Sequence, residues 1–307
     1  MIRYIDMYRD RFGVEPICRT VRTTEGGFIT ARGYRAVKTR PASGRSIRDR
    51  LVLADIVKLH CDNYGVYGVR KMHALLTRQG WLVGRDQVAR LMRAAGLKGA
   101  TRSRRVFTTR PDVALAQPGD LLDRQFTAPA PRRVWVADIT YVATWAGFAY
   151  VGFITDVFAR RIVGWSVSST LRTEQSTLAA LDMAAWQAHD DLTGLICHSD
   201  HGSNYLSIKY TSRVLELGAK TSTGSVGDAY DNALAETING LYKAELIRRQ
   251  GPWRTIEQVE LATLSWVYWW NHQRLHETLG YRTPVETEQA YYNQHQPRLA
   301  TASHEKH

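Results

Sequence analysis

The sequence predicts an α/β protein in which a small all-α unit precedes a larger domain built from strands and helices. Three observations indicate this class. Apolar residues recur at helical spacing over residues 47–98, form strand-like runs from Val134 onward, and return to helical spacing beyond Thr173. The length of 307 residues and the 44% hydrophobic content are enough to bury one or two cores.

The excess positive charge lies entirely in the first part of the chain. Residues 1–133 hold 27 Lys and Arg against 11 Asp and Glu, whereas residues 134–307 hold 14 against 18. A basic region followed by a mildly acidic one favours a polyanion that the first region binds and the second processes. A basic surface that only aids solubility is the alternative.

Neither export nor membrane insertion is indicated. No run approaches the roughly 18 apolar residues of a membrane helix, and the first residues, MIRYIDMYRDRF, are charged throughout. We therefore expect a cytoplasmic protein. Cys18, Cys61 and Cys197 lack C-x-x-C spacing, which favours reduced packing residues over a zinc site.

Residues 1–46 predict a basic, loosely ordered N-terminal segment. Their second half, TVRTTEGGFITARGYRAVKTRPASGRS, is rich in Thr, Arg, Gly and Ser and shows little apolar periodicity.

Residues 47–98 predict a helix-turn-helix DNA-binding domain of three helices. The second and third helices, at about 69–79 and 85–95, are joined by a short glycine-containing turn. In the third, the recognition helix, Val88, Leu91 and Met92 are expected to face inward. The side chains left for phosphates or base edges are Arg85, Gln87, Arg90 and Arg93. A plain helical hairpin is the alternative.

A basic linker is expected at residues 99–133, where Arg, Pro and Ala are frequent. Three strands in an antiparallel meander then follow, in VWVADITYVAT, AYVGFITDVFA and RIVGWSVSST. A helix, the short buried strand GLICHSD, a second helix and a third helix capped by Asp231 or Asn232 complete the α/β pattern. The final helix carries three tryptophans that we expect in the core, Trp266, Trp269 and Trp270.

The stretch HSDHGSNY, residues 198–205, contains the residue types of a serine-hydrolase triad. A Ser-His-Asp relay needs three side chains that converge, whereas neighbours on a strand point to opposite faces. No G-x-S-x-G turn surrounds Ser199 or Ser203. The sequence therefore argues against serine hydrolysis.

Three acidic residues are instead placed where they can meet. Asp200 ends the short strand, Asp138 is the single acid on one face of the first strand, and Glu236 lies on a later helix with Lys243 seven residues on. Converging carboxylates repel unless cations lie among them, and hard oxygen ligands favour Mg²⁺ or Mn²⁺. Two such ions support phosphodiester cleavage or transfer.

Other acidic residues have structural interpretations. Asp156 could assist the cluster, but capping of a hairpin end is favoured. Asp228 and Asp231 could replace a ligand of the cluster, but roles in turns and helix caps are favoured.

Four segments carry a family resemblance. In order they are VWVADITYV, HSDHGSNY, GDAYDNALAETINGLYKAEL and WNHQRLHETLGYRTPVE. They resemble the transposases of the insertion-sequence-three family, OrfB type, which are relatives of retroviral integrases. The 35 residues between Asp200 and Glu236 match the D,D-35-E signature of that family, and Lys243 matches its basic residue.

The resemblance implies an RNase H-like catalytic core at 134–290, a mixed five-stranded sheet with flanking helices, before a tail at 291–307. It implies that Asp138, Asp200 and Glu236 bind two Mg²⁺ ions, for which Mn²⁺ substitutes. They would cut and then join the 3′ ends of the element without a covalent protein intermediate. Lys243 would contact DNA near the scissile phosphate.

The resemblance also implies partners. These are double-stranded DNA, as element ends and as target, a second copy of the chain, and a helix-turn-helix and zipper protein encoded in an upstream frame. That protein is often fused to this product by ribosomal frameshifting. The DNA-bound protein would be associated with the bacterial nucleoid.

Two questions stay open at the level of sequence. Asn271, Arg274 and His276 match the terminal motif of the family, yet their spacing fits DNA contact and a structural hydrogen-bond network equally; Arg274 is our candidate for a phosphate contact. A catalytically decayed DNA-binding repressor and a nuclease that cuts without joining are the alternative functions.

Overall fold

A computed structural model describes residues 1–24, 29–101, 127–189, 191–200, 204–223 and 233–295. The chain divides into two compact units, Met1–Asp55 and Ile56–His307. Within the described residues, no helix has both the length and the apolar character that crossing a membrane requires.

The first unit is built of short helices. They are α1 (Ile2–Phe12), α2 (Val14–Arg22), α3 (Ala31–Thr39) and the start of α4 (Gly44–Asp62). Ile5, Ile17, Cys18 and Tyr34 form its core, and the Tyr34 hydroxyl donates to Asp6.

The expectation of a loosely ordered segment at residues 1–46 is therefore wrong. The helices bury only one or two side chains each, which is too sparse a pattern for apolar periodicity to be visible in the sequence.

The second unit begins with the expected helical hairpin. Helix α5 (Val69–Arg78) and helix α6 (Arg85–Ala94) agree with the predicted bounds to within one residue. Gly80, with a φ of 88°, turns the chain between them, because a left-handed backbone suits glycine. The buried residues of the pair are Met72, Leu76, Val88, Leu91 and Met92, so the inward face of α6 is confirmed.

A five-stranded mixed sheet forms the centre of the second unit, with strand order β3-β2-β1-β4-β5. The first three strands are the predicted antiparallel meander, and β4 and β5 run parallel to β1. The bounds are β1 (Val134–Thr144), β2 (Gly147–Asp156), β3 (Ile162–Ser168), β4 (Ile196–Ser199) and β5 (Lys220–Thr223). The fold class is confirmed; the fifth strand, KTST, is too short and polar for its pattern to predict it.

Helices cover both faces of this sheet. The remaining ones are α7 (Thr177–Gln187), α8 (Ile208–Glu216), α9 (Ala233–Tyr242), α10 (Arg248–Gln250), α11 (Ile256–His272) and α12 (Pro284–His295). A π-helix, Lys243–Ile247, joins α9 to α10.

One face packs on α7 and α8 and the other on α9 and α11. On the first, α7 approaches β3 so closely that a Cβ on Gly164 would lie 2.1 Å from the Ala180 carbonyl oxygen. On the second, Ala235 of α9 packs on Val134 and Val136. Trp266 of α11 packs on Phe153 of β2, as the prediction of core tryptophans requires.

Trp269 packs in a different direction from the other tryptophans. Its ring contacts Tyr64 and Tyr67, and its indole N–H donates to Asn63 Oδ1 at 3.0 Å. The Tyr67 hydroxyl accepts a hydrogen bond from the Leu275 N–H at 2.7 Å. The helical hairpin therefore belongs to the same compact unit as the sheet, whereas we expected separate domains at 47–98 and 134–290.

Several predictions concern residues outside the described part. These are the caps Asp231 and Asn232, Asp228, most of the linker at 99–133, and the tail beyond residue 295. The tail was expected from residue 291, but α12 continues to His295.

Candidate active site

Asp138 lies in the middle of β1, where the neighbouring parallel strand ends. Its Oδ2 accepts a hydrogen bond from Asn239 Nδ2 at 2.9 Å, and its Oδ1 accepts one from the Ile139 N–H at 2.8 Å. The side chain is half-buried under α9. A carboxylate held this way is oriented before any ligand binds.

Asp200 follows directly on β4. The register pairs Ala137 with Ser199, so Asp138 and Asp200 occupy the next step of two adjacent parallel strands. Neighbouring strands lie about 4.8 Å apart. The prediction that Asp200 stands at the carboxyl edge of the sheet agrees with this register, and its side chain is exposed.

Glu236 lies in the first turn of α9, which packs on β1. Asn239 is three residues later, on the same side of the helix. The Oδ1 atom of Asn239 is buried and accepts no hydrogen bond from any described residue. Sequence analysis did not single out Asn239; its spacing from Glu236 was the available signal.

The electrostatics tie the three acidic residues together. Burial, and then the negative charges of Asp200 and Glu236, raise the pKa of Asp138 to about 8, against the opposing effect of its two hydrogen bonds. Tyr205, buried beside the site, has its pKa raised by burial and further by Asp138 and Asp200. The site thus has an excess of negative charge that a cation would relieve.

The donor set fits a hard divalent cation. Carboxylate oxygens and an amide oxygen without a partner are the ligands that Mg²⁺ and Mn²⁺ prefer. Among the residues that the structure describes, however, no three His, Cys, Asp or Glu side chains are gathered tightly enough to hold a metal. The three carboxylates interact electrostatically without forming a closed coordination shell.

Lys243 stands at the first position of the π-helix. Its Nζ lies 4.7 Å from the centre of the Tyr141 ring. Burial, and then the charge of Arg248, lower its pKa, while Asp138 opposes this shift. The sequence predicted an uninterrupted helix from Glu236 to Lys243, and the structure ends that helix at Tyr242. Such π turns are frequent at functional sites.

Arg274 does not fit the expected phosphate contact, because it is only 4% exposed. Its guanidinium donates to both oxygens of Glu245, at 3.0 and 2.6 Å, and lies 4.4 Å from the centre of the Trp270 ring. Both charged side chains are 5% exposed. The prediction that Arg274 binds phosphate is therefore wrong: the residue joins α11 to the π-helix that carries Glu245.

The other two residues of the terminal motif are also structural. Asn271 bonds the N–H and the carbonyl of Ile162, both at 2.9 Å, and so fastens α11 to β3. His276 contacts Arg274 and the Trp270 carbonyl. Burial, and then the charge of Arg274, lower the pKa of His276 well below its usual range, so the imidazole is neutral.

Asp156 has the favoured capping role. Its carboxylate accepts hydrogen bonds from the backbone of Arg132, Phe158 and Ala159 and from the Trp135 indole, and is 3% exposed.

The serine-hydrolase interpretation finds no support among the described residues of the HSDHGSNY stretch. His198 bonds the Ser222 hydroxyl at 2.9 Å, and the Ser199 hydroxyl donates to the Asp200 carbonyl. His201 and Ser203 lie outside the described residues.

Helix α6 presents its predicted polar face. Arg85, Arg90 and Arg93 are exposed and Gln87 is half-buried. An open groove of about 730 Å³ lies beside the start of α6, lined among others by Arg70, His73, Arg85, Glu277 and Tyr281.

Known proteins match over nearly the whole chain. The family description "Integrase core domain" matches residues 128–229 and again 217–284, and "HTH-like domain" matches residues 46–105. The chain is 52% identical over 261 residues to a relative from Mycobacterium tuberculosis (strain ATCC 25177 / H37Ra), the "Putative transposase for insertion sequence element IS986/IS6110". This match covers 84% of this chain and 94% of that protein.

A second relative is the transposase for insertion sequence element IS629 of Shigella sonnei. It is 46% identical, and the match covers 95% of this chain and 97% of that protein. Among solved structures, the HTLV-2 integrase catalytic core domain in complex with magnesium (trimeric form) has a TM-score of 0.41 at 17% identity, over 52% of this chain and 98% of that one.

A mixed sheet with an aspartate on its central strand, an aspartate after the adjacent parallel strand and a glutamate on a covering helix is the arrangement of the DDE-type polynucleotidyl transferases. In this chain an HTH-like domain accompanies that core, and its match spans α5 and α6. The chain belongs to the insertion-sequence-three family of transposases.

Asp138→Asn is expected to stabilise the metal-free protein at neutral pH. The folded pKa of about 8 lies above the ordinary value of 3.8. Asp138 therefore opposes folding increasingly as the pH rises from about 4 to about 8, and not below that window. We expect the variant to gain about 1–3 kcal/mol near neutrality and nothing near pH 4. Thermal unfolding in EDTA across this range measures the effect.

The matched control is Asp191→Asn. Hydrogen bonds from Thr193 lower the pKa of Asp191, so the sign of its contribution is opposite and the control should gain no stability. A stability difference between Asp138→Asn and wild type that does not vary with pH would contradict the electrostatic account. Added Mg²⁺ should stabilise wild type more than the variant.

Arg274→Ala is expected to destabilise the protein by about 3–5 kcal/mol, because it leaves Glu245 charged and buried without its partner. Urea unfolding measures this, with Arg93→Ala, an exposed arginine, as a control that changes stability by no more than about 0.5 kcal/mol. Unchanged stability together with weaker DNA binding would restore the phosphate-contact interpretation.

Proposed function

We propose that the protein cuts the ends of its own insertion sequence and joins them to target DNA, with Asp138, Asp200 and Glu236 as the catalytic carboxylates. The observation that carries this proposal is the register of β1 and β4, which sets Asp138 beside Asp200 under the helix that carries Glu236. The raised pKa of Asp138 supports it, since three structural acids would not be placed to repel one another.

We propose two Mg²⁺ ions as the cofactor, for which Mn²⁺ substitutes. When bound, such ions activate a water or a 3′-hydroxyl and stabilise the leaving oxygen of an in-line displacement at phosphorus. The residues that would hold them are Asp138, Asp200 and Glu236, with Asn239 Oδ1 as an additional oxygen beside them.

In cleavage, a water oxygen bonds to phosphorus and loses a proton, while the bond from phosphorus to the 3′ oxygen breaks and that oxygen takes up a proton. In joining, the oxygen of the freed 3′-hydroxyl bonds to a phosphorus of the target DNA and loses its proton. The bond from that phosphorus to its own 3′ oxygen breaks, and the leaving oxygen takes up a proton. Asn239 holds one oxygen of Asp138 in place throughout, and Lys243 supplies positive charge near the scissile phosphate.

The DNA itself is held by the helical hairpin. Arg85, Gln87, Arg90 and Arg93 are the proposed contacts of α6 with the element ends. Two ends must be brought together, so we propose at least a dimer on DNA, assisted by or fused to the product of an upstream frame. On this proposal the bound protein is associated with the nucleoid.

Asp200→Asn is expected to abolish cleavage and joining while end-DNA binding is retained. Loss of an electrostatic group worth several kcal/mol corresponds to about a thousandfold or more in rate. The assay measures nicking and strand transfer on DNA from the ends of the element, with Mg²⁺, with Mn²⁺ and with EDTA. Asp191→Asn, an exposed acid of the same unit, is the matched control with wild-type activity.

The same assay separates the alternatives. Binding without metal-dependent cleavage in the wild type indicates a decayed repressor, and cleavage without joining indicates a nuclease. Equal activity of wild type and Asp200→Asn would overturn the assignment of the carboxylates.

Arg85→Ala is expected to weaken binding to end DNA by about 1–3 kcal/mol if Arg85 reads a base, with reduced preference over unrelated DNA. If it contacts a phosphate, affinity falls equally for all sequences and the salt dependence becomes shallower by about one ion. Titrations at several salt concentrations distinguish the two. The control is Arg213→Ala, since Arg213 of α8 pairs with Asp182 of α7 and lies outside α6. Unchanged binding by Arg85→Ala would remove α6 from the interface.

A further inference from the structure

The tip of the β1–β2 hairpin exposes three large aromatic side chains. Trp145 is 70% exposed, Phe148 51% and Tyr141 47%. The rings of Tyr141 and Phe148 meet edge to face with centres 5.6 Å apart. Single exposed apolar residues are ordinary, but a contiguous exposed group of this kind marks a binding surface.

Two cations lie on the faces of these rings. Lys243 Nζ is 4.7 Å from the centre of the Tyr141 ring, and the Arg254 guanidinium is 5.3 Å from the centre of the Trp145 ring. We call Tyr141, Trp145, Phe148, Lys243 and Arg254 the hairpin platform. Aromatic faces interleaved with cations are the composition of sites that bind single-stranded nucleic acid, where rings stack on bases and cations follow the phosphates.

The hairpin platform is held rigidly. The Trp145 N–H donates to the Trp253 carbonyl at 3.0 Å, and the Trp253 indole N–H donates to the Ile247 carbonyl at 3.0 Å. Across the turn, the Thr144 hydroxyl donates to the Gly147 carbonyl at 2.7 Å. The hairpin tip is thereby fastened to the π-helix that begins with Lys243. The backbone of the tip therefore needs little further ordering when a ligand binds, which favours affinity.

The hairpin platform lies within a few nucleotides of the carboxylates. Tyr141 follows Asp138 by three residues, about 10 Å along β1, and alternation directs the two side chains to opposite faces of that strand. Lys243 connects them, because its Nζ lies on the Tyr141 ring and its pKa responds to the charge of Asp138. A strand with its phosphate at Asp138 therefore reaches the hairpin platform within a few nucleotides, since each nucleotide spans about 3.4 Å or more. Among the described strands, β4 pairs with β1 only as far as Ala137, and this part of β1 extends beyond that pairing.

We propose that the hairpin platform stacks the bases of a DNA strand that is unpaired next to the cut phosphate. This inference rests on the proposed function, because it names the form of DNA that the same site takes. An unpaired strand exposes the faces of its bases, and stacking of those bases on Trp145 and Tyr141 offsets part of the cost of unpairing. The flanking cations favour this polyanion over an apolar protein surface or a second copy of the chain.

The test is equilibrium binding of the full-length protein to two DNA duplexes in EDTA, measured by fluorescence anisotropy. One duplex is the fully paired end of the element, and the other carries mismatched bases next to the cleavage position. We expect wild type to prefer the mismatched duplex by about fivefold or more, the lower range of one base stack. Trp145→Ala should lose this preference, and Trp145→Phe should keep most of it.

The matched control is Trp186→Ala, since Trp186 is a tryptophan on α7 with 76% exposure and lies outside the hairpin platform. It should keep the wild-type preference. Fluorescence of 2-aminopurine at the mismatched position reports stacking directly: we expect quenching by wild type and Trp186→Ala, and recovery of the signal with Trp145→Ala.

Two results would overturn the inference. One is an unchanged preference in Trp145→Ala with intact folding. The other is a change in oligomeric state, by sedimentation, with no change in preference, which would make the hairpin platform an interface between copies. Because binding is measured without metal, the two proposals can fail separately. If the protein stacks the bases but does not cut DNA, the proposed function is contradicted and this inference is not. If the protein cuts DNA but shows no stacking, this inference alone is contradicted.

Discussion

The buried ion pair between Arg274 and Glu245 is the interaction on which the arrangement of the active site depends. Glu245 lies inside the π-helix that follows α9, the helix of Glu236, and Arg274 lies just after α11. A buried charge without its partner is strongly unfavourable, so the pair allows these two segments one relative position. Lys243, Glu245 and the hairpin tip, through Trp253, are consequently fixed with respect to the sheet.

Unlike the two partners of the ion pair, the three carboxylates carry charges of the same sign. Asp138, Asp200 and Glu236 are held close enough to repel, and among the described residues two hydrogen bonds to Asp138 oppose this effect. The sheet and α9 supply the packing that keeps them there, since Val134, Val136 and Ala235 are buried around the strand that carries Asp138. On the proposed function, this local cost in stability maintains a negative charge that a divalent cation would neutralise.

Sequence patterns predicted the features that follow from apolar alternation in strands and apolar spacing in helices. The meander, helix α6 and the position of Asp200 followed from apolar period and strand ends, because each depends on local burial. Asn239 was missed since an amide carries no charge to single it out. The role of Arg274 could not be predicted from sequence, because an arginine suits both a buried ion pair with Glu245 and a contact with phosphate. The helices of residues 1–46 bury too few side chains to produce a period.

The helical hairpin contacts the segment that carries the Arg274–Glu245 ion pair. Tyr67 bonds the backbone of Leu275, the residue after Arg274, and Asn63 bonds Trp269 one turn before it. Arg78 pairs with Glu286 at the start of α12. Packed and hydrogen-bonded groups therefore connect α5 and α6 to the segment that carries Arg274. On the proposed function, DNA that misfits α6 would also be misplaced at the carboxylates.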